Sequence, residues 1–147
     1  MFVISIETSY KLLLKKTYSS SKDPDWKEKN SGIIAGMPKE EARVKYPMPL
    51  FISPYERIVE GTGESLVELH CRAWQAVSKI LHMPPGTYLI VSHTEILNAV
   101  LRNMMSIPMP RNAARKGGVF FRFQDTSYAR LTYHMETDKW ILREFIP

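Results

Sequence analysis

The chain is 147 residues long, enough for one domain around a single core. Its hydrophobic fraction of 44% and charged fraction of 24% are those of an ordinary soluble globular protein. A lone cysteine, Cys71, excludes an internal disulfide framework, and no apolar run reaches the length of a membrane span. The opening MFVISIETSYKLLLKK has neither the layout nor the cleavage site of a signal peptide, so a cytoplasmic location is expected. The net charge of +5 attracts anions. Outside Lys15–Lys16 and Arg111–Lys116, however, the basic residues are scattered, without the clustered stripe of a nucleic-acid-binding face.

Residues 5–17 show helical spacing at Ile6, Tyr10, Leu13 and Leu14, and predict a first helix. SSSKDPDWKEKNSG follows as a polar loop. Pro38 opens a short helix through PKEEARVKY, with acidic residues in the first turn, where the helix dipole favours them. The proline- and glycine-punctuated YPMPLFISPYERIVEGTG reads as a long irregular loop, of the kind that covers or binds ligands.

The second half is clearer. Ser65 and Glu68 form an S-x-x-E capping box before a helix that runs to about Leu81. Its expected buried stripe is Leu66, Leu69, Ala73, Val77 and Ile80, and Met83-Pro84-Pro85-Gly86 stops it. TYLIVS predicts a buried strand and TEILNAVLRNMMSI another helix, ended by Pro108. Three strands close the chain, GVFFRF, YARLTYH and KWILREF, with turns at Asp125-Thr126-Ser127 and Glu136-Thr137-Asp138. Helices alternating with strands, then a meander, predict an α/β domain.

His93 stands at the carboxyl end of the predicted strand Tyr88–Ser92, just before a helix expected to be N-capped by Thr94. Ligands of open α/β sheets bind outside the carboxyl ends of strands, and a helix start offers free N–H groups to an anion. A histidine there serves to donate to a phosphate oxygen or to move a proton; the plainer alternative is a histidine that bonds a backbone carbonyl.

Four segments then occur in order: W-K-E-K-N-S-G-I-I-A-G (Trp26–Gly36), G-E-S-L-V-E-L-H-C-R (Gly63–Arg72), L-I-V-S-H (Leu89–His93) and the terminal strands with Trp140. Together they resemble the histidine phosphatase superfamily, which includes the phosphoglycerate mutases, over nearly the whole chain. The resemblance implies a mostly parallel sheet flanked by helices in three layers (αβα), incomplete at the N-terminus, in a single partial domain over residues 1–147. It implies that Glu28 is the acid that protonates the leaving oxygen, a role that needs a raised pKa. His93 would steady the phosphoryl group, and Thr94 and Arg72 would bind phosphate. Arg57, in the long loop, is a further candidate for touching substrate. The expected ligand is a phosphorylated small molecule, with no cofactor, metal, nucleic acid or membrane partner.

Two departures accompany the resemblance. The family's nucleophile lies in an Arg-His-Gly, whereas none of His70, His82, His93 and His134 follows an arginine. IETSYKLLLKK instead resembles the helix after the family's second strand, and the resemblance thus implies that the front strands are missing. Beside His93 the family's glycine is replaced by Thr94, followed by Glu95, which repels a nearby phosphate. Without the front strands, Tyr88–Ser92 keeps an apolar unpaired edge. Three outcomes are open: Met1–Ser5 pairs into that gap, two chains pair as a homo-oligomer through it, or the chain is a truncated product of poor solubility. The expectation is therefore a truncated or degenerate family member, inactive alone, that at most binds phosphorylated metabolites. An active phosphomonoesterase with an altered site is the alternative. A third reading, an RNA-binding module, rests on the partial likeness of K-G-G-V-F-F-R-F to an aromatic RNA-binding strand, with Phe120 and Phe123 as its rings.

Overall fold

The computed structural model describes residues 2–7, 21–59, 61–114, 119–124 and 127–147. Within these, the chain forms β1 (Phe2–Glu7), α1 (Lys39–Lys45), α2 (Leu66–Leu81), β2 (Gly86–Ile90), α3 (Thr94–Met104), β3 (Tyr128–His134) and β4 (Lys139–Ile146), with short 3-10 turns at Pro24–Trp26, Gly32–Ile34 and Met135–Thr137. The class is α/β, as expected.

Helix α2 starts where the capping box puts it. Ser65 Oγ accepts from the Glu68 amide at 3.1 Å, and the Glu68 carboxylate accepts from the Ser65 amide at 2.7 Å. Leu69, Ala73, Val77 and Ile80 are buried as predicted, joined by His70 and Ala76, while Leu66 is only partly covered. Helix α3 packs beside α2 and buries Ile96, Leu97, Val100 and Leu101 in the same core.

The sheet order is β2-β1-β3-β4. Only β1 and β3 run parallel; β1 with β2 and β3 with β4 are antiparallel, so the sheet is mixed where a mostly parallel one was expected. The difference comes from β1. Its register sets Ile4 opposite Tyr88 on one side and Leu131 on the other, which aligns Ile4, Leu131, Ile90 and Ala129 on the pleat that meets α2 and α3. These four residues and the two helices form one core. The predicted helix over 5–17 thus begins as strand. Residues 2–7 are strand, and residues 8–17 lie outside the described residues.

The expectation that the first residues pair beside the strand before His93 is met by β1. That strand is an edge among the described residues, however, and does not lie inside the sheet. It is also shorter than predicted: the ladder ends at the Phe2–Ile90 pair, and Leu89 and Val91 are 62% and 77% exposed. Strands β3 and β4 match the sequence reading, and Asp138 takes the left-handed conformation (φ 47°) in their turn. Asp125 and Thr126, in the other predicted turn, lie outside the described residues.

No strand forms over residues 119–124; Gly118 is outside the described residues. The backbone of Phe121 is bonded to a side chain instead. Asn98 of α3 accepts from its N–H at 2.7 Å and donates to its carbonyl at 2.8 Å, the pair of bonds a neighbouring strand would have made. Phe121 and Phe123 both pack edge-on against Phe145. Phe123 therefore belongs to the core rather than to a stacking platform for bases.

Candidate active site

The 25–28 segment crosses the N-terminus of α3. His93 is the N-cap residue in place of Thr94, because its extended backbone (φ −111°, ψ 164°) precedes the first helical turn and its carbonyl accepts from the Leu97 amide at 3.1 Å. Thr94 is then the first helical residue, and its carbonyl accepts from Asn98 Nδ2. The His93 side chain is exposed and makes no cap hydrogen bond.

Glu28 reaches this helix start. Its Oε1 accepts from the Glu95 amide at 3.2 Å and from the Lys29 amide at 2.9 Å. The Glu95 amide is one of the leading donors of α3, which no carbonyl within the helix reaches. A carboxylate on it is stabilised by the helix dipole. Glu28 is exposed rather than buried. Ser92 holds the same segment by donating its hydroxyl to the Trp26 carbonyl.

Arg72 lies behind the segment. A guanidinium has five N–H donors, and all five are engaged here. Nε and Nη2 form a fork on the Glu64 carboxylate at 2.8 and 2.7 Å. Nη1 donates to the carbonyls of Asp25 and Lys27 at 2.8 and 2.7 Å, and Nη2 to that of Glu28 at 3.4 Å. The Glu64 carboxylate also accepts from the Asn30 amide. Lys79 pairs with Asp23 at 3.0 Å and Asp25 at 2.8 Å, fixing the segment's front end to α2.

The Gly-Glu-Ser run explains itself in this geometry. Gly63 (φ +77°) crosses Gly32 (φ +63°) so closely that a Cβ on Gly63 would stand 2.8 Å from the Asn30 carbonyl oxygen. Glu64 receives Arg72, and Ser65 starts α2. Glu64 has no role in the sequence pattern beyond its place in the run, and its spacing of eight residues from Arg72 is the signal that links the two.

The structure therefore brings Glu28, His93, Thr94 and Arg72 to one place. Arg57 is held elsewhere, on Glu68 at the start of α2, through Nη2 at 2.6 Å and Nε at 3.3 Å. That contact holds the Glu68 carboxyl down at about 2. Among the described residues no group of three His, Cys, Asp or Glu side chains suits a metal ion, and no helix is long and apolar enough to cross a membrane.

No curated protein and no solved structure matches the chain significantly. The family model of the histidine phosphatase superfamily (branch 1) matches residues 5–144. With nearly its whole length covered, this chain belongs to the histidine phosphatase superfamily.

Proposed function

We propose that the site at the start of α3 binds the phosphate of a phosphorylated small molecule, and that the chain as given does not carry out phosphoryl transfer through a histidine. The observation that carries the reading is the meeting of Glu28 and His93 at one helix start, from segments far apart in the sequence. In this reading His93 donates to a phosphate oxygen and Thr94 supplies the next donor of the helix start, while Glu28, exposed and bonded to the Glu95 amide, lacks the burial that a leaving-group acid needs and shares the helix start with the anion. Arg57 is available to ligand only if it leaves Glu68. The nucleophile is lacking because no histidine follows an arginine, and the other histidines have different settings. His70 is buried against Asn103 at 2.7 Å, and His82 is bonded to the Ser78 carbonyl at 2.6 Å. A cytoplasmic location is part of the same proposal, as is association of two copies along the open edge of β2.

Inorganic phosphate and an aryl phosphate test the reading together. Calorimetric titration is expected to show phosphate binding that His93→Ala weakens by about fivefold, a loss of roughly 1 kcal/mol typical of one hydrogen bond. Equal affinity in His93→Ala removes the site. Aryl phosphate turnover that His93→Ala abolishes supports instead the second reading, an active phosphomonoesterase with an altered site.

A further inference from the structure

Residues 25–28 belong to no strand, so nothing in a ladder of their own fixes where Glu28 points. The 3-10 turn at Pro24–Trp26 bonds the amides of Trp26 and Lys27 locally, and the carbonyls that follow are held by other elements. The contacts of Lys79 and Ser92 reach as far as Trp26. Arg72 goes on from Asp25 to the carbonyls of Lys27 and Glu28. We infer that Arg72 is a positioning residue: with Glu64 as its counter-charge, it turns three backbone carbonyls inward and thereby sets the Glu28 carboxylate on the first turn of α3, beside His93. The inference rests on the reading of Glu28 and His93 as one site, and it takes Arg72 out of direct contact with the phosphate.

Three features support the assignment. All five donors are spent on protein acceptors, so a phosphate gains Arg72 only by dismantling the segment that carries Glu28. The pair is sheltered, with side chains 18% and 12% exposed for Arg72 and Glu64, so water weakens it less than it weakens a surface pair. The planar fork also matters. One edge grips a carboxylate bidentately while the remaining N–H groups diverge toward carbonyls, a pattern that a lysine ammonium does not reproduce. Glu64 is tied in turn to the other loop through the Asn30 amide, so the whole crossing at Gly32 and Gly63 backs the fork.

Amide hydrogen exchange separates positioning from general stability. The Glu95 and Lys29 amides both donate to Glu28 Oε1, and so report where that carboxylate is. In Arg72→Lys, the Glu95 amide is expected to exchange ~tenfold faster, while amides within α2 and β3 keep their rates. Glu64→Gln, a milder change, is expected to give the same pattern with smaller amplitude, and it decides the matter if Arg72→Lys does not fold. Unchanged Glu95 exchange in the deciding variant, or a uniform acceleration of all amides, overturns the inference. Phosphate titration keeps the two readings apart. If the Glu95 pattern appears but His93→Ala leaves phosphate affinity unchanged, the positioning role stands and the phosphate site falls. The reverse result overturns the positioning role alone.

Discussion

The Glu28 carboxylate accepts a 3.2 Å hydrogen bond from the backbone N–H of Glu95, so residues 67 apart in sequence meet at the position an incoming anion would take. A phosphate must share that helix start with a negative charge of the protein's own. Removing the charge while keeping the oxygen, as in Glu28→Gln, is expected to tighten inorganic phosphate binding by about fivefold, since like charges about 4 Å apart and fully exposed to water repel by about 1 kcal/mol. Titration calorimetry at constant pH reads the change. Weaker binding in Glu28→Gln would show that the carboxyl group helps to hold the anion rather than competing with it.

Phosphohistidine formation gives the second prediction. In-line transfer needs a nucleophile opposite the leaving oxygen, with several cationic donors around the phosphoryl group. Arg72 is spent on Glu64 and backbone carbonyls, and Arg57 is paired with Glu68. Incubation with a labelled phosphoryl donor is expected to leave the protein unlabelled. An acid-labile, base-stable phosphoprotein that forms and turns over contradicts this.

Gly63→Ala tests the loop crossing. The residue has φ +77°, and the added Cβ would meet the Asn30 carbonyl oxygen at 2.8 Å and the Gly32 nitrogen at 3.0 Å. Gly36 has the same φ but nothing within 4 Å of the built Cβ. Gly36→Ala should cost about 1 kcal/mol from backbone strain alone, and Gly63→Ala on the order of 3 kcal/mol. Urea unfolding of the two variants measures the difference, and equal costs would mean that the loops do not cross as described.

Acid stability should show two separate windows. Burial lowers the His70 pKa below its usual 6.5, so the folded state resists protonation that the unfolded state accepts. Its contribution is present above pH 6.5 and is lost as pH falls below it. The Glu68 carboxyl is held at about 2 against its usual 4.5, first by the hydrogen bond from Arg57. Its contribution is complete above pH 4.5 and fades as pH falls toward 2. Unfolding midpoints followed against pH should lose the lower window in Glu68→Gln and keep the upper one. A Glu68→Gln curve parallel to wild type below pH 4.5 would contradict the assignment.

The edge of β2 supplies the last prediction. Residues 86–91 carry no charge, Leu89 is 62% exposed, and β1 is the strand's one partner among the described residues. An uncharged open edge pairs readily with another strand. Sedimentation should show a concentration-dependent dimer that Leu89→Lys dissociates, and a wild-type chain that stays monomeric at high concentration argues against association there.

What could be read in the sequence was local. The Ser65–Glu68 box, the length of α2 and strands β3 and β4 follow from patterns within one element. His93 follows from the strand-then-helix pattern and Glu28 from the family resemblance, and the structure sets them at one helix start. The partner of β1 is legible in the sequence only as one option of three, since pairing of Val3 with Leu89 and Arg130 leaves no local trace. GVFFRF has strand composition, but Asn98, twenty-three residues earlier, takes up the backbone bonds of Phe121. The fivefold bonding of Arg72 was equally hidden. A single arginine in a helix gives no sign of whether its fork faces a ligand or the protein's own carbonyls.

The position of β1 also bears on how the chain reaches its fold. Its register joins Val3 to Leu89 and to Arg130, so the middle strand of the sheet emerges from the ribosome long before either neighbour. At roughly 5–20 residues per second, its partner in β3 follows about 6 to 25 s later. Until β2 emerges an apolar, β-prone stretch has no native partner, until β3 emerges one of its two edges stays open, and closing the sheet requires loops spanning most of the chain. Helices α2 and α3 are complete earlier and rest on short-range contacts, so they are the natural first surface for it. Yield of folded protein should therefore depend on synthesis rate and on holding chaperones more than the final stability of the sheet suggests.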